Sequence, residues 1–421
     1  MKGEFQKALE KAVGNVPRAM LEGLIERKIE EAGIEPNKKL VRKMVEHVTL
    51  ANDDEFYWNQ DSKGPTAVVS FTNEDAKELD SATRKFLEDD LPEIVARLAL
   101  NSARSILRTL KSDWPEQYAW EQQVELEFRH RLKDRWDEAL ELLRMLLTVT
   151  REIGQEALQK NQKSRAKRNR HRAEVLLRLH ARACQVTSEI ITLLETGYAD
   201  GAMARWRTLH EISTVATLVA EHGDELAERY LAHEVIQSKR ALRAYEESYA
   251  VLGYRPPAKR EVRRLEKLYK LALDEYGVGF GSEYGWAAKH LKKRKPTFSD
   301  LETWAGKSAM RSHYKMASQN VHASVKGITH QLGALSGPPL LLAGPSNAGL
   351  HEPGQNTAIT LTQATFTVFN QRYQFDDVVM MKLLVELQKK TVNAFVRAGR
   401  RLKRDERDHQ KSLEQGAPEA V

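Results

Sequence analysis

The sequence predicts an all-α protein, with an N-terminal helical region that includes a long helix, followed by an antiparallel helical-bundle domain. Apolar residues recur at intervals of three and four, most clearly from Trp120 to Val149 and from Val175 to Leu194. That is the period of a helix with one buried face. Glycine and proline fall between such stretches, at Gly33 and Pro36, at Gly197 and Gly201, and at Gly253, Pro256 and Pro257, where they end helices. Only TAVVSF, residues 66–71, reads as a short strand.

In chain order, residues 1–53 hold three short amphipathic helices. Phe5, Ala8, Leu9 and Val13 share one face, as do Met20, Leu21, Leu24 and Ile25, and then Leu40, Val41, Met44 and Val45. Pro17 suits the first turn of the second helix. After the aromatic turn of Phe56, Tyr57 and Trp58, Thr72 or Asn73 caps a helix whose first turn holds Glu74 and Asp75, where the helix dipole favours negative charge. Asp89, Asp90 and Pro92 restart a helix to about Leu110, and Pro115 opens the long one. It dissolves into a basic run at 161–172, which separates an N-terminal region, 1–160, from a bundle domain over 171–398.

Within the bundle a helix over 173–196 turns at Gly197–Gly201 and returns over 202–221, giving an antiparallel pair. Helices follow over 224–249 and 258–277, then the glycine-rich turn GVGFGSEYG. Ser299 and Glu302 read as the capping box of a short helix. The next helix runs from Ser308 to about Val325, with Gly327 as its stop. An irregular segment, Gly337 to Asn356, precedes two helices over 357–373 and 376–399. Residues 400–421 hold little apolar content beyond Leu402 and Leu413, which predicts a charged, disordered tail.

Composition narrows the function classes. Hydrophobic residues make up 41% and charged residues 30% of the 421, enough to bury a core and to exclude disorder throughout. Cys184 is the only cysteine, so no intramolecular disulfide forms, and a reducing compartment fits. The N-terminus lacks the apolar stretch of a secretory signal, and no apolar run approaches the ~18–20 residues of a membrane helix. The expectation is a cytoplasmic protein without membrane contact. The net charge is +7, concentrated in two runs. One is 163–172, with Lys163, Arg165, Lys167, Arg168, Arg170 and Arg172, and the other is 289–295. Such runs suit phosphates of RNA or another nucleic acid; the plainer alternative is a solvated helix face.

Several chemistries are excluded by their missing residues. Gly344 and Gly349 have phosphate-loop spacing, but Leu350 and His351 stand where Lys and Ser/Thr are needed. GVGFGSEYG has no preceding strand, which argues against a dinucleotide site. No histidine pair stands four apart and no CxxC occurs, so no zinc or other metal site is expected. No GxSxG elbow is present, and nothing calls for a cofactor.

What remains is a polar constellation on apolar helices. Arg207 and Glu211, four apart, can pair on one face, with His210 close by. Apolar neighbours Met203, Leu209, Ile212 and Val215 mark this helix as largely buried, and a buried ion pair usually serves registry or function. The expected partners are Tyr314, Ser318 and His322, spaced four and four and hence in one stripe. His322 would offer a group that titrates near neutrality.

The segments GYADGAMARWRTLHE (197–211), ERYLAH (228–233) and YKMASQNVHAS (314–324) together resemble a bacterial all-helical domain of unknown function. It is marked by a Gly-x7-Arg-x3-Glu helix and a later Tyr-x3-Ser-x3-His helix, and the resemblance covers about residues 171–398. That family brings no assigned activity. Arg205 followed after five residues by His210 also resembles, more weakly, the Arg-to-His spacing of HEPN ribonucleases, although Trp206 replaces their usual polar residue after the arginine. That resemblance implies a metal-independent ribonuclease working as a homodimer, with arginine on the scissile phosphate and histidine on the 2′-hydroxyl. The functional expectation is therefore a HEPN-like ribonuclease or nucleic-acid-binding protein of stress or phage defence, using Arg205, Arg207, His210, Glu211, Ser318 and His322. The alternative is a non-enzymatic helical interaction module in which Arg207, Glu211, Ser318 and His322 are structural.

Overall fold

A computed structural model describes residues 4–50, 55–58, 68–163, 170–334, 341–369 and 374–416. Among these the regular structure is helical, without a strand. Residues 68–71, the described part of the expected strand, are irregular, because no second strand among the described residues offers a ladder to pair with. None of the described helices is long and apolar enough to cross a membrane. The chain divides into two compact units, 1–121 and 122–421.

The first unit contains α1 (Glu4–Gly14), α2 (Val16–Glu31), α3 (Lys38–Leu50) and α4 (Asn73–Lys85). Ile25 and Ile29 of α2 close on Leu40, Val41, Met44 and Val45 of α3, with Phe56 and Trp58 against them. These are the apolar faces that the helical spacing exposes to one another. Thr72 caps α4 in a capping box with Asp75, and Asp75 also pairs with Lys28 at 2.9 Å. Those contacts hold the Asp75 carboxyl down to about 2.

A π-helical turn, Phe86–Asp90, carries α4 directly into α5 (Leu91–Lys163), so the helix does not restart at Pro115. Pro115 lies inside α5. It removes one backbone hydrogen bond, but every residue from 111 to 120 is exposed, and water can serve the orphaned carbonyl. The boundary between the units falls within α5, at residue 121, whereas the basic run places it near 160.

The second unit is built on α5, α6 (Arg170–Glu195), α7 (Ala199–His222), α14 (His351–Phe366) and α15 (Phe375–Gly416). Their core includes Leu132, Trp136, Leu143, Ile190, Met203, Trp206, Leu361 and Phe395. Each such side chain removed from water contributes about 1.5–3 kcal/mol. Trp136 packs at a tilt against Phe395 with centroids 6.1 Å apart and donates to Asn347 Oδ1 at 2.7 Å. Gly354 admits the Phe395 ring so closely that a Cβ would stand 2.4 Å from it. The hairpin between α6 and α7 turns at Gly197, whose φ of +80° suits glycine; Gly201 already lies in the first turn of α7.

A second cluster fills the space between the end of α7 and α8 (Asp224–Ala232), α9 (Glu234–Ser248), α10 (Lys259–Tyr276), α11 (Phe298–Trp304) and α12 (Arg311–Val321), around Leu218, Phe280, Trp286 and Leu301. The helix expected over 224–249 is two helices, interrupted at His233. Its buried ring lies 3.1 and 3.0 Å from the carbonyls of Phe280 and Ser282, which fixes the bend. The cap of α11 is Thr297 with Asp300, not Ser299 with Glu302. α12 ends at Val321, and Gly327 lies inside the short α13 (Val325–Thr329). Residues 400–416, expected as disordered, continue α15. There Arg135 of α5 pairs with Asp405 at 2.7 Å, and Arg401 donates to the Arg135 carbonyl at 3.1 Å.

Candidate functional site

Helix α7 is buried on most of its circumference, so each polar group on it must find a partner or bear a desolvation cost. At 100° per residue, Arg205, Arg207 and His210 point in three directions, and each meets a different neighbour. Arg205 forms an ion pair with Glu189 of α6, and its Nη1 donates to Thr208 Oγ1 at 3.3 Å. Arg207 pairs with Glu211 at 3.2 Å, as the spacing predicts. The Tyr314 hydroxyl of α12 donates to Glu211 Oε1 at 2.7 Å, and the Arg207 guanidinium sits over the Tyr314 ring, 4.9 Å from its centroid.

His210 faces elsewhere. Its Nε2 lies 2.9 Å from Glu302 Oε1, and both side chains are 1% exposed. The second carboxylate oxygen of Glu302 pairs with Arg311, whose guanidinium lies 5.4 Å from the Tyr314 centroid. Burial lowers the proton affinity of His210 more than Glu302 and its charge raise it, which favours the neutral ring. A neutral ring facing a carboxylate must carry its proton on Nε2, and Nδ1 is then left as a buried lone pair with no hydrogen-bond partner among the described residues. An unpaired acceptor costs less than an unpaired N–H, so this tautomer suits the burial.

Three further groups complete the network, and none was legible as a site residue. The Lys307 ammonium donates to Ser213 Oγ at 2.9 Å and to Gln363 Oε1 at 2.6 Å; burial pulls its pKa down to about 8. Trp206 Nε1 donates to Thr360 Oγ1 of α14 at 2.9 Å. Asp200, in the first turn of α7, accepts from Asn320 Nδ2 at 3.2 Å and from the Leu332 amide at 3.0 Å. It thereby holds the segment after α12 against the hairpin. Glu302 itself was read as half of a capping box. The signal that could have found it is an acidic residue on the apolar side of a short helix, beside Leu301.

The expected stripe is only partly formed. Tyr314 reaches Glu211, but the Ser318 hydroxyl turns back to the Tyr314 carbonyl at 2.9 Å, as serine often does inside a helix. His322 comes one residue after α12 ends, in extended backbone, and its side chain is exposed. It therefore does not continue the face that carries Tyr314. Of the six candidate residues, Arg207 and Glu211 meet each other, while Arg205 and His210 are held by separate partners on separate sides of α7.

The basic runs divide similarly. Arg165, Lys167 and Arg168 lie outside the described residues. In the second run Lys289 pairs with Glu225 at 2.5 Å and Lys293 with Asp300 at 2.8 Å, while Lys292, Arg294 and Lys295 are exposed. A surface groove between α5 and α15 is lined by Glu138, Leu142, Lys390 and Arg397. Another, between α5 and α6, is lined by Lys133, Asp137, Arg144 and Glu195. Neither includes a residue of the α7 network.

Nothing matches the chain among curated proteins or among solved structures. Residues 173–337, from α6 through α13, match the model of a family of unknown function (DUF5677).

Proposed function

We propose that the chain is a non-enzymatic helical interaction module, in which the polar residues of α7 clamp helix register. The observation that carries this is the enclosure of His210, 0% exposed and bonded to a carboxylate that is itself enclosed. A general base must come within about 2.6–3.2 Å of the proton it removes. Neither ring nitrogen of His210 has such an approach, since Nε2 is taken by Glu302 and Nδ1 is buried. Arg205, which would steady a phosphate in a HEPN-like ribonuclease, is neutralised by Glu189. Arg207 and Glu211 act through Tyr314 to fix α12 against α7. The test is incubation of the purified chain with RNA in the presence of a chelator, together with melting curves of His210→Ala and Glu211→Ala. The module predicts no cleavage and a lowered melting temperature in both variants. Metal-independent cleavage that vanishes in His210→Ala, with unchanged melting, would restore the ribonuclease.

A second reading, binding of RNA or another nucleic acid, has one observation in its favour. Helix α10 exposes Arg260, Arg263, Arg264, Lys267 and Lys270, since Val262, Leu265, Tyr269 and Ala272 take its other side inward. Contacts of this kind give affinity that falls steeply with salt. Fluorescence anisotropy with RNA, single-stranded DNA and duplex DNA across a salt series decides it; a flat response removes the reading.

A further inference from the structure

Helix α10 carries a row of cations that are unpaired among the described residues. At 100° per residue, Lys259, Arg260, Arg263, Arg264, Lys267 and Lys270 fall within about 140° of one face, and no other residue from 259 to 270 shares that sector. All six are exposed, and none is in an ion pair among the described residues. Glu261 points elsewhere, and Glu266, at the edge of the sector, pairs with Lys239 of α9 at 3.2 Å. Asp274 and Glu275 come only in the last turn. The other cations of α9 are engaged too: Arg243 pairs with Glu247 at 3.3 Å, and Arg240 donates to the Gly281 carbonyl at 2.9 Å. On α10, Lys259 and Arg263, Arg260 and Arg264, and Arg263 and Lys267 are like charges four apart, which destabilise a helix. An anionic partner laid along the row removes that repulsion.

An aromatic stack stands where the row begins. The turn from α9 to α10 is closed by Gly253, whose φ is +70°. The Tyr254 amide donates to the Tyr249 carbonyl at 2.8 Å and the Gly253 amide to the Ala250 carbonyl at 3.2 Å, the paired bonds of a glycine helix cap. The Tyr245 hydroxyl donates to the Arg255 carbonyl at 2.8 Å and ties the outgoing chain back to α9. Tyr245 stacks with both other rings, 6.1 Å from Tyr249 at 25° and 6.4 Å from Tyr254 at 7°. Tyr254 is nonetheless 59% exposed, five residues before Lys259. A flat ring is thus held open at the end of the cationic row by bonds within the turn itself.

We propose that this hairpin binds single-stranded nucleic acid, with the α10 cations on its phosphates and Tyr254 stacked on a base. A cationic track beside an aromatic platform is the combination that holds single strands. In a duplex the bases are stacked inside, out of reach of a tyrosine ring, whereas a single strand can splay one out. Phosphate contacts carry no sequence information and every base has a π-face, so the binding is sequence-tolerant. The row is about 16 Å long and runs along the helix away from the turn, as a strand would lie. A bilayer approaching the turn, where Val251 and Leu252 are also exposed, would meet only the first of these cations. The proposal rests on the nucleic-acid reading above, narrows it to single strands, and does not depend on the α7 clamp.

The test is fluorescence anisotropy of the full chain with a mixed-sequence dodecamer as single-stranded DNA, single-stranded RNA and duplex DNA, across a salt series. The native chain is expected to bind both single strands more tightly than the duplex. With six phosphates neutralised, log affinity for a single strand falls against log salt with a slope of about −4. Tyr254→Ala should weaken single-strand binding about 5- to 150-fold and leave the slope and the duplex affinity unchanged; Tyr254→Phe should restore it. The double variant Arg263→Gln, Arg264→Gln should bring the slope to about −3. A preference for duplex, or single-strand affinity that Tyr254→Ala leaves unchanged, overturns the proposal and leaves the nucleic-acid reading standing. No binding to any of the three oligonucleotides removes both. Tighter capture by phosphatidylserine vesicles than by any oligonucleotide, abolished in Val251→Asp, overturns the proposal in favour of a lipid surface.

Discussion

Truncation of Glu302 tests whether the α7 network is a clamp. In Glu302→Ala the His210 Nε2–H, 2.9 Å from the carboxylate, loses its acceptor in a place water does not reach. An orphaned buried donor costs about 1–3 kcal/mol, and the vacated volume beside Leu301 adds a cavity term. Arg311, with a third of its side chain exposed, can turn to water and adds little. The sum is about 3–5 kcal/mol, the range for breaking one side of a buried ionic pair. Glu302→Gln keeps a carbonyl for Nε2–H and gives up only the charge facing Arg311, for about 1–2 kcal/mol. Urea denaturation followed by far-ultraviolet dichroism and by tryptophan fluorescence measures both, and Trp206, with its centroid 5.3 Å from His210, is a local reporter. In a cycle with His210→Ala, the double variant should be less destabilised than the sum of the single ones by about 1–3 kcal/mol. Additivity within about 0.5 kcal/mol would mean that the two side chains do not act as a unit.

Two other outcomes follow from the packing. His180 is buried, with no hydrogen-bond partner for Nε2 among the described residues, and burial alone pulls it down from 6.5 to about 4. The unfolded chain therefore binds a proton that the folded chain refuses, and stability falls as pH drops from 6.5 to about 4, by about 3 kcal/mol from this residue. His180→Leu should flatten that part of the urea-midpoint profile relative to the native chain; an identical profile would refute the assignment. Gly197→Ala should lower stability by about 2–4 kcal/mol, because at φ +80° its Cβ would stand 2.7 Å from Phe128 Cζ and 2.9 Å from the Ser346 carbonyl oxygen. A melting temperature within a degree or two of the native value would show that the turn yields.

The helical class, the α6–α7 hairpin and its glycine turn were legible because periodicity and glycine conformation are local properties of the chain. So was the Arg207–Glu211 pair, which depends only on a spacing of four. Even Tyr314 as a distant partner could be anticipated, since a polar residue on a buried helix requires one. The end of α12 was not, and its position one residue before His322 takes that histidine off the face of Tyr314. The helical state of 400–416 also escaped, because its support comes from Arg135 of α5 and not from apolar periodicity of its own.

What the sequence determined alone is which segments are helical and which residues must find polar partners. Tertiary structure decided who those partners are. Arg205 and His210 stand five apart in a spacing that invites a shared catalytic role, yet Glu189 draws one to α6 and Glu302 draws the other to α11. The physical reason is the helix itself: five residues turn a side chain about 140° around the axis. On a helix enclosed on several sides, that angle sends the two groups to different neighbours, whose identities depend on contacts 16 and 92 residues away in the chain.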